Sequence, residues 1–142
     1  MKKILILCLS LSFVSLSTFS APAQQNKTIE PGLYTAVDAE SGTVNAQLII
    51  RADGTLNFKV ATSDFEMPEP GCEGTYAVSG ESFTSQLTCP IAILPEVSVQ
   101  IDITNVNPQS IRSATGALVP VVIDALGSDA TMFSLKLVEA KK

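Results

Sequence analysis

The side chains able to do chemistry in this chain are few and unevenly placed. Asp64, Glu66, Glu69 and Glu73 crowd into one short stretch. Carboxylates at that density suit Ca²⁺, which takes about six to eight oxygen ligands. Their spacing matches no calcium loop, however, and a solvated acidic loop is the expectation. The chain has no His and no Trp, which excludes His-based triads, His metal sites, His proton relays and Trp stacking platforms. No G-x-S-x-G elbow, P-loop or dinucleotide fingerprint occurs. A carboxylate pair of the glycosidase kind is the remaining catalytic option. Nothing in the spacing sets two carboxylates across a cleft, and Asp102 and Asp124 read as solvent-face residues. A sugar site would also want more aromatics than Tyr34, Tyr76 and a few Phe. No catalytic residue, metal or cofactor is therefore expected, and the reading is of a protein that is not an enzyme.

Charge narrows the partners. Nine basic against fourteen acidic residues give a net charge of −5, and phosphate contacts need Lys and Arg, so nucleic acid is not an expected partner.

The N-terminus reads as an export signal. Lys2 and Lys3 form a positive head, Ile4 to Leu16 an apolar run softened by Ser, and Ala21-Pro22-Ala23 a small-residue exit. The run is too short for a membrane-spanning helix, which needs roughly 20 apolar residues. Cleavage after Ala23 is expected, leaving residues 24–142 as one domain, more acidic than the whole chain, with no membrane span. Asn26-Lys27-Thr28 is a glycosylation sequon, which matters only on a eukaryotic secretory route. Cys8 leaves with the signal. Cys72 and Cys89 remain, an even number for an oxidising compartment, and are expected to pair. Periplasmic or secreted localisation follows.

The elements that hold these residues alternate with period two, and no window sustains helical spacing. Strands are expected at Leu33–Val37, Ala46–Arg51, Thr55–Thr62, Cys72–Ser79, Ser82–Cys89, Val97–Thr104, Ala117–Asp124 and Thr131–Val138, with Ile111–Ala114 a further piece of the seventh. Two hairpins can be derived in register. A two-residue Gly80-Glu81 turn, with Gly first as type II′ prefers, sets Val78 against Phe83, Gly74 against Leu87 and Cys72 against Cys89. These pairs share an apolar face, and the other face is mostly polar. The cysteines then form a non-hydrogen-bonded pair with Cα atoms about 4.5 Å apart, near enough to bridge. A three-residue Ala52-Asp53-Gly54 loop similarly sets Ile50 against Leu56, Leu48 against Phe58 and Ala46 against Val60. Val97, Val99, Ile101 and Ile103 form one inward row, and Phe133, Leu135 and Leu137 another. Pro120 lacks a donor and favours an edge or a bulge. The fold class is all-β: an antiparallel up-and-down barrel, or a sandwich, of about eight strands with one disulfide-stapled hairpin.

In a meander, the Gly54 and Gly80 turns lie at one end. The longer loops Ser63–Gly71 and Pro90–Pro95 then meet at the other, beside the disulfide. Binding residues concentrate on loops held by rigid scaffolds, so Phe65, Met67, Ile91, Ile93 and Leu94 are the candidate binding residues. Phe65 and Met67 serve either as anchors for a partner or as a plug under the barrel. Ile91 to Leu94 serve as a ligand mouth or as a buried lid.

The segment Cys72-Glu73-Gly74-Thr75-Tyr76, with Gly80, Phe83, Leu87 and Cys89 beyond it, resembles hairpins of small exported bacterial β-barrels of the lipocalin-like or avidin-like type. The lipocalin G-x-W pattern is not met, since Gly32-Leu33-Tyr34 carries no Trp. The resemblance covers this hairpin and the meander around it, and it implies a barrel. The function expected is that of an exported binding protein acting through loops at one barrel end, with a small hydrophobic ligand or a protein as partner. The alternative is a protein-interaction module, such as a hydrolase inhibitor or an envelope assembly factor.

Overall fold

Burial follows the alternation strand by strand. Along Ser82–Thr88, Phe83, Ser85 and Leu87 are buried while Thr84, Gln86 and Thr88 are exposed. Val97, Val99 and Ile101 repeat this along Glu96–Asp102. A pleated strand can sort its side chains this way only if one face is wholly enclosed. The computed structural model, which describes residues 26–141, shows how the enclosure is made. Eight strands run in order: β1 Gly32–Asp38, β2 Asn45–Ile50, β3 Thr55–Ala61, β4 Cys72–Ser79, β5 Ser82–Thr88, β6 Glu96–Asp102, β7 Ala117–Ile123 and β8 Thr131–Ala140. Each pairs antiparallel with the next, and β8 returns to β1, so the sheet is a closed barrel rather than a sandwich. The expected signal segment, residues 1–23, lies outside the described residues.

Both hairpins have the register their turns dictate. Val78 lies opposite Phe83 and Gly74 opposite Leu87. Gly80 has φ 60° while Glu81 stays at negative φ, as type II′ and not type I′ demands. Ile50 opposes Leu56, Leu48 opposes Phe58 and Ala46 opposes Val60, across a loop in which the Gly54 N–H donates to Arg51 O at 3.3 Å. The Cys72–Cys89 disulfide is present, with a Cα–Cα distance of 4.1 Å.

The expected strand piece at Ile111–Ala114 is not a strand. Ser110–Arg112 is a 3-10 turn, for a local reason: Asn107 Oδ1 accepts the backbone N–H groups of Gln109 and Ser110 at 3.0 and 2.8 Å. That side chain offers the backbone a turn in place of a ladder. Ile111 is thereby pushed under the barrel, where it is buried with Ile103 and Val106. Pro120 sits one residue beyond the last β6–β7 pair, Ile101–Val121, so its missing donor falls where that ladder has already ended. Further along, Asn105 Nδ2 donates to Leu118 O at 3.3 Å.

The two ends of the barrel differ. Tyr34, Ile50, Leu56, Phe83, Ile103 and Val119 are among the largest fully buried side chains, and all lie toward the end that carries the Gly54 and Gly80 turns. The Tyr34 hydroxyl donates to Glu30 O at 2.6 Å, and Tyr76 stacks on Phe83 with ring centroids 5.0 Å apart. Arg112 grips both carboxylate oxygens of Glu30 at 2.6 and 2.7 Å. Nη2 alone reaches both oxygens, and this ion pair ties the segment before β1 to the long β6–β7 connection. That end is closed.

Candidate functional site: an apolar cavity open at one barrel end

The opposite half of the barrel is not filled. Ala36 and Ala46 supply small side chains there, and Leu48, Phe58, Val99 and Phe133 stand around a cavity of about 370 Å³. This lies within the usual range of small-molecule sites, roughly 300–1,000 Å³. The floor is the packed layer described above. The mouth is framed by the four connections that follow β1, β3, β5 and β7.

The β3–β4 connection folds back on its strand. Thr62 N donates to Phe65 O at 2.7 Å and Met67 N to Val60 O at 3.0 Å, while Thr62 Oγ1 accepts Phe65 N at 3.1 Å. The tight reversal carries Met67 inward until its sulfur lies 3.4 Å from Cys72 Sγ. The disulfide then joins β4 to the β5–β6 connection, where Leu94 N donates to Ile91 O at 3.0 Å and Cys89 N to Pro95 O at 2.9 Å. The bridge therefore fastens two of the mouth's four walls together.

The five candidate residues fall into two groups. Met67, which is buried, and Leu94 line the cavity. Ile91 is half-buried against the core. Phe65 and Ile93 are exposed, at 42% and 91%, and do not line it. The sequence reading missed the other two walls. Val44 enters from the β1–β2 connection, and Ile123, Ala125 and Leu126 enter around the β7–β8 connection. Leu126 is 83% exposed at the rim. Connection parity was the signal that pointed there, because in a meander every other connection shares an end.

Polar groups in the lining are few. Asp38, Asp129 and Thr131 provide them, and no Lys or Arg contributes. Asp38 Oδ1 accepts Glu40 N at 2.8 Å and Ser41 N at 3.1 Å. The backbone N–H of Ser41, then that of Glu40, holds its carboxyl below the ordinary aspartate range. The acidic stretch that opened the sequence reading stays outside. Asp64, Glu66, Glu69 and Glu73 are all exposed, Lys59 pairs with Glu69, and Glu73 accepts Asn57 Nδ2 at 3.3 Å. Asp102 and Asp124 are likewise exposed, and Asp124 accepts Ser98 N at 2.9 Å. Among the described residues no three His, Cys, Asp or Glu side chains converge as a metal site, and no helix is long and apolar enough to cross a membrane.

Comparison with protein-family models, with curated proteins and with solved structures found no match. The barrel and its cavity therefore carry the functional argument alone.

Proposed function

We propose that this is an exported, non-enzymatic binding protein that holds a small apolar molecule inside the open half of its barrel. One observation carries the reading: the barrel is filled by large side chains at one end and left hollow at the other, with an apolar lining of about 370 Å³. Close-packed interiors leave few voids larger than a water molecule, and an apolar cavity open to one side is the usual form of a ligand site. The non-enzymatic part is supported by the sequence, which carries no His and none of the nucleophile, phosphate-loop or dinucleotide motifs. Periplasmic or secreted localisation agrees with the disulfide, since such bridges persist in oxidising compartments.

Filling the cavity tests the reading. Ala46→Phe places a ring in the hollow from a buried wall position. A neutral apolar fluorophore should bind the unmodified protein and lose at least about tenfold in affinity with the variant, while the melting transition survives. Equal binding by both proteins would refute the cavity as the site.

Exposed Ile93, Leu126 and Phe65 at the rim favour a second reading, a protein-interaction module that docks through the mouth. Ile93→Asp separates the two. It should leave a small ligand in the cavity untouched and abolish capture of a protein that seats on the rim.

A further inference from the structure

The four connections at the open end carry one sign of charge. Asp38 ends β1 at the first and Glu40 lies within it, Asp64, Glu66 and Glu69 lie in the second, Glu96 opens β6 just after the third, and Asp124 and Asp129 lie in the fourth. None contains Lys or Arg. Two of these carboxylates, Asp38 and Asp129, belong to the cavity lining itself. Of the basic residues, Lys27 donates to Thr104 O and Arg112 holds Glu30, both at the closed end, while Lys59 on β3 pairs with Glu69 of the second connection. An apolar hollow with walls of low dielectric focuses the field of such a ring into its entrance.

Resting on the ligand-binding reading above, we infer that the cavity selects a cationic amphiphile: an apolar body seated among Leu48, Phe58, Val99 and Phe133, with an ammonium-type head at the mouth between Asp38 and Asp129. Lining and rim supply the two halves of that recognition independently. The apolar wall binds any tail of suitable size, whereas the carboxylates rank the heads. An anionic head of the same size meets like charge on every side and finds no basic partner in the lining. Asp38 stays ionised at neutral pH because its turn hydrogen bonds favour the charged form.

The experiment compares octylamine, octanol and octanoate at pH 7 and low salt, each displacing the same neutral fluorophore. Octylamine should bind about fivefold more tightly than octanol, and octanoate about fivefold more weakly, as expected of solvent-facing ion pairs. The spread should shrink in 0.5 M NaCl, where exposed charges are screened within a few ångströms. The double variant Asp38→Asn/Asp129→Asn keeps an oxygen acceptor for the Glu40–Ser41 turn, and it should erase the preference, so that octylamine, octanol and octanoate displace the fluorophore alike. Equal affinity for the three heads, or a preference that survives the double variant, would overturn the inference and leave the cavity reading standing. Failure of octanol and the fluorophore to bind at all would overturn the cavity reading itself.

Discussion

At the scale of single residues, the closed end depends on a few polar groups placed under an apolar plug. Tyr34 is fully buried, and its hydroxyl reaches only Glu30 O. Tyr34→Phe should cost about 1 kcal/mol in urea unfolding, the usual worth of one such hydrogen bond. Burial, reinforced by the Glu30 carboxylate, raises the Tyr34 pKa, and burial raises that of Tyr76 as well. The unfolded chain then releases these protons first, so it binds fewer protons than the native state, and stability falls as pH rises. The loss begins near pH 10, the ordinary tyrosine value, at up to about 1.4 kcal/mol per pH unit for Tyr34. The stabilising difference is fully present at neutral pH. An alkaline unfolding series should show a shallower limb for Tyr34→Phe; an unchanged limb would contradict the burial argument. The disulfide is also a residue-scale device. Cys72→Ala/Cys89→Ala should lose about 3 kcal/mol by the chain-entropy estimate for a loop of this size, and differential scanning calorimetry would read it directly.

At the scale of elements, β4 and β5 approach so closely that Gly74 has no room for a side chain. A Cβ built there would lie 1.8 Å from Gln86 O, a backbone atom that cannot swing aside. Gly74→Ala should destabilise by about 2–3 kcal/mol, in the range of overpacked cores. The β6–β7 ladder has only three residue pairs, Val99–Ile123 to Ile101–Val121, and ends before Pro120. Its amides should exchange with solvent faster than those of β4 and β5, whose ladder runs from Glu73–Thr88 to Ser79–Ser82; protection factors measured by NMR would show it. The hairpins were legible in the sequence because turn chemistry and period-two burial each fix a register, and for Gly80 and Gly54 the two agree. Closure of β8 on β1 was not legible, since a barrel and a sandwich bury the same alternate residues. Ile111–Ala114 misled for a different reason: its apolar residue looked like a strand position, but the Asn107 side chain decided the backbone. The candidate site was half legible. The meander set the loops that carry Met67 and Leu94 beside the disulfide, where they lie, yet Asp38 ends β1, Leu126 and Asp129 belong to a short connection, and composition alone singles out none of them.

At the scale of the whole molecule, charge and packing are both polarised along one axis. Large side chains fill the closed end, and carboxylates, of which Glu69 is paired with Lys59, gather at the open one. Salt should therefore stabilise the protein: raising NaCl from low to moderate concentration screens repulsion around the mouth and should add on the order of 1 kcal/mol. A melting temperature that falls with NaCl would contradict that distribution. Closure itself has a topological corollary. β1 and β8 are neighbours, with Gly32 opposite Ala140 and Lys141 N donating to Pro31 O at 3.1 Å. The covalent order of the strands is thus nearly interchangeable with a rotated one. A circular permutant that joins the segment after β8 to the segment before β1 through a short linker, and is cut open at the Gly80-Glu81 turn, would preserve every neighbouring pair around the ring. Its new ends would emerge beside the plugged floor, leaving the mouth unencumbered.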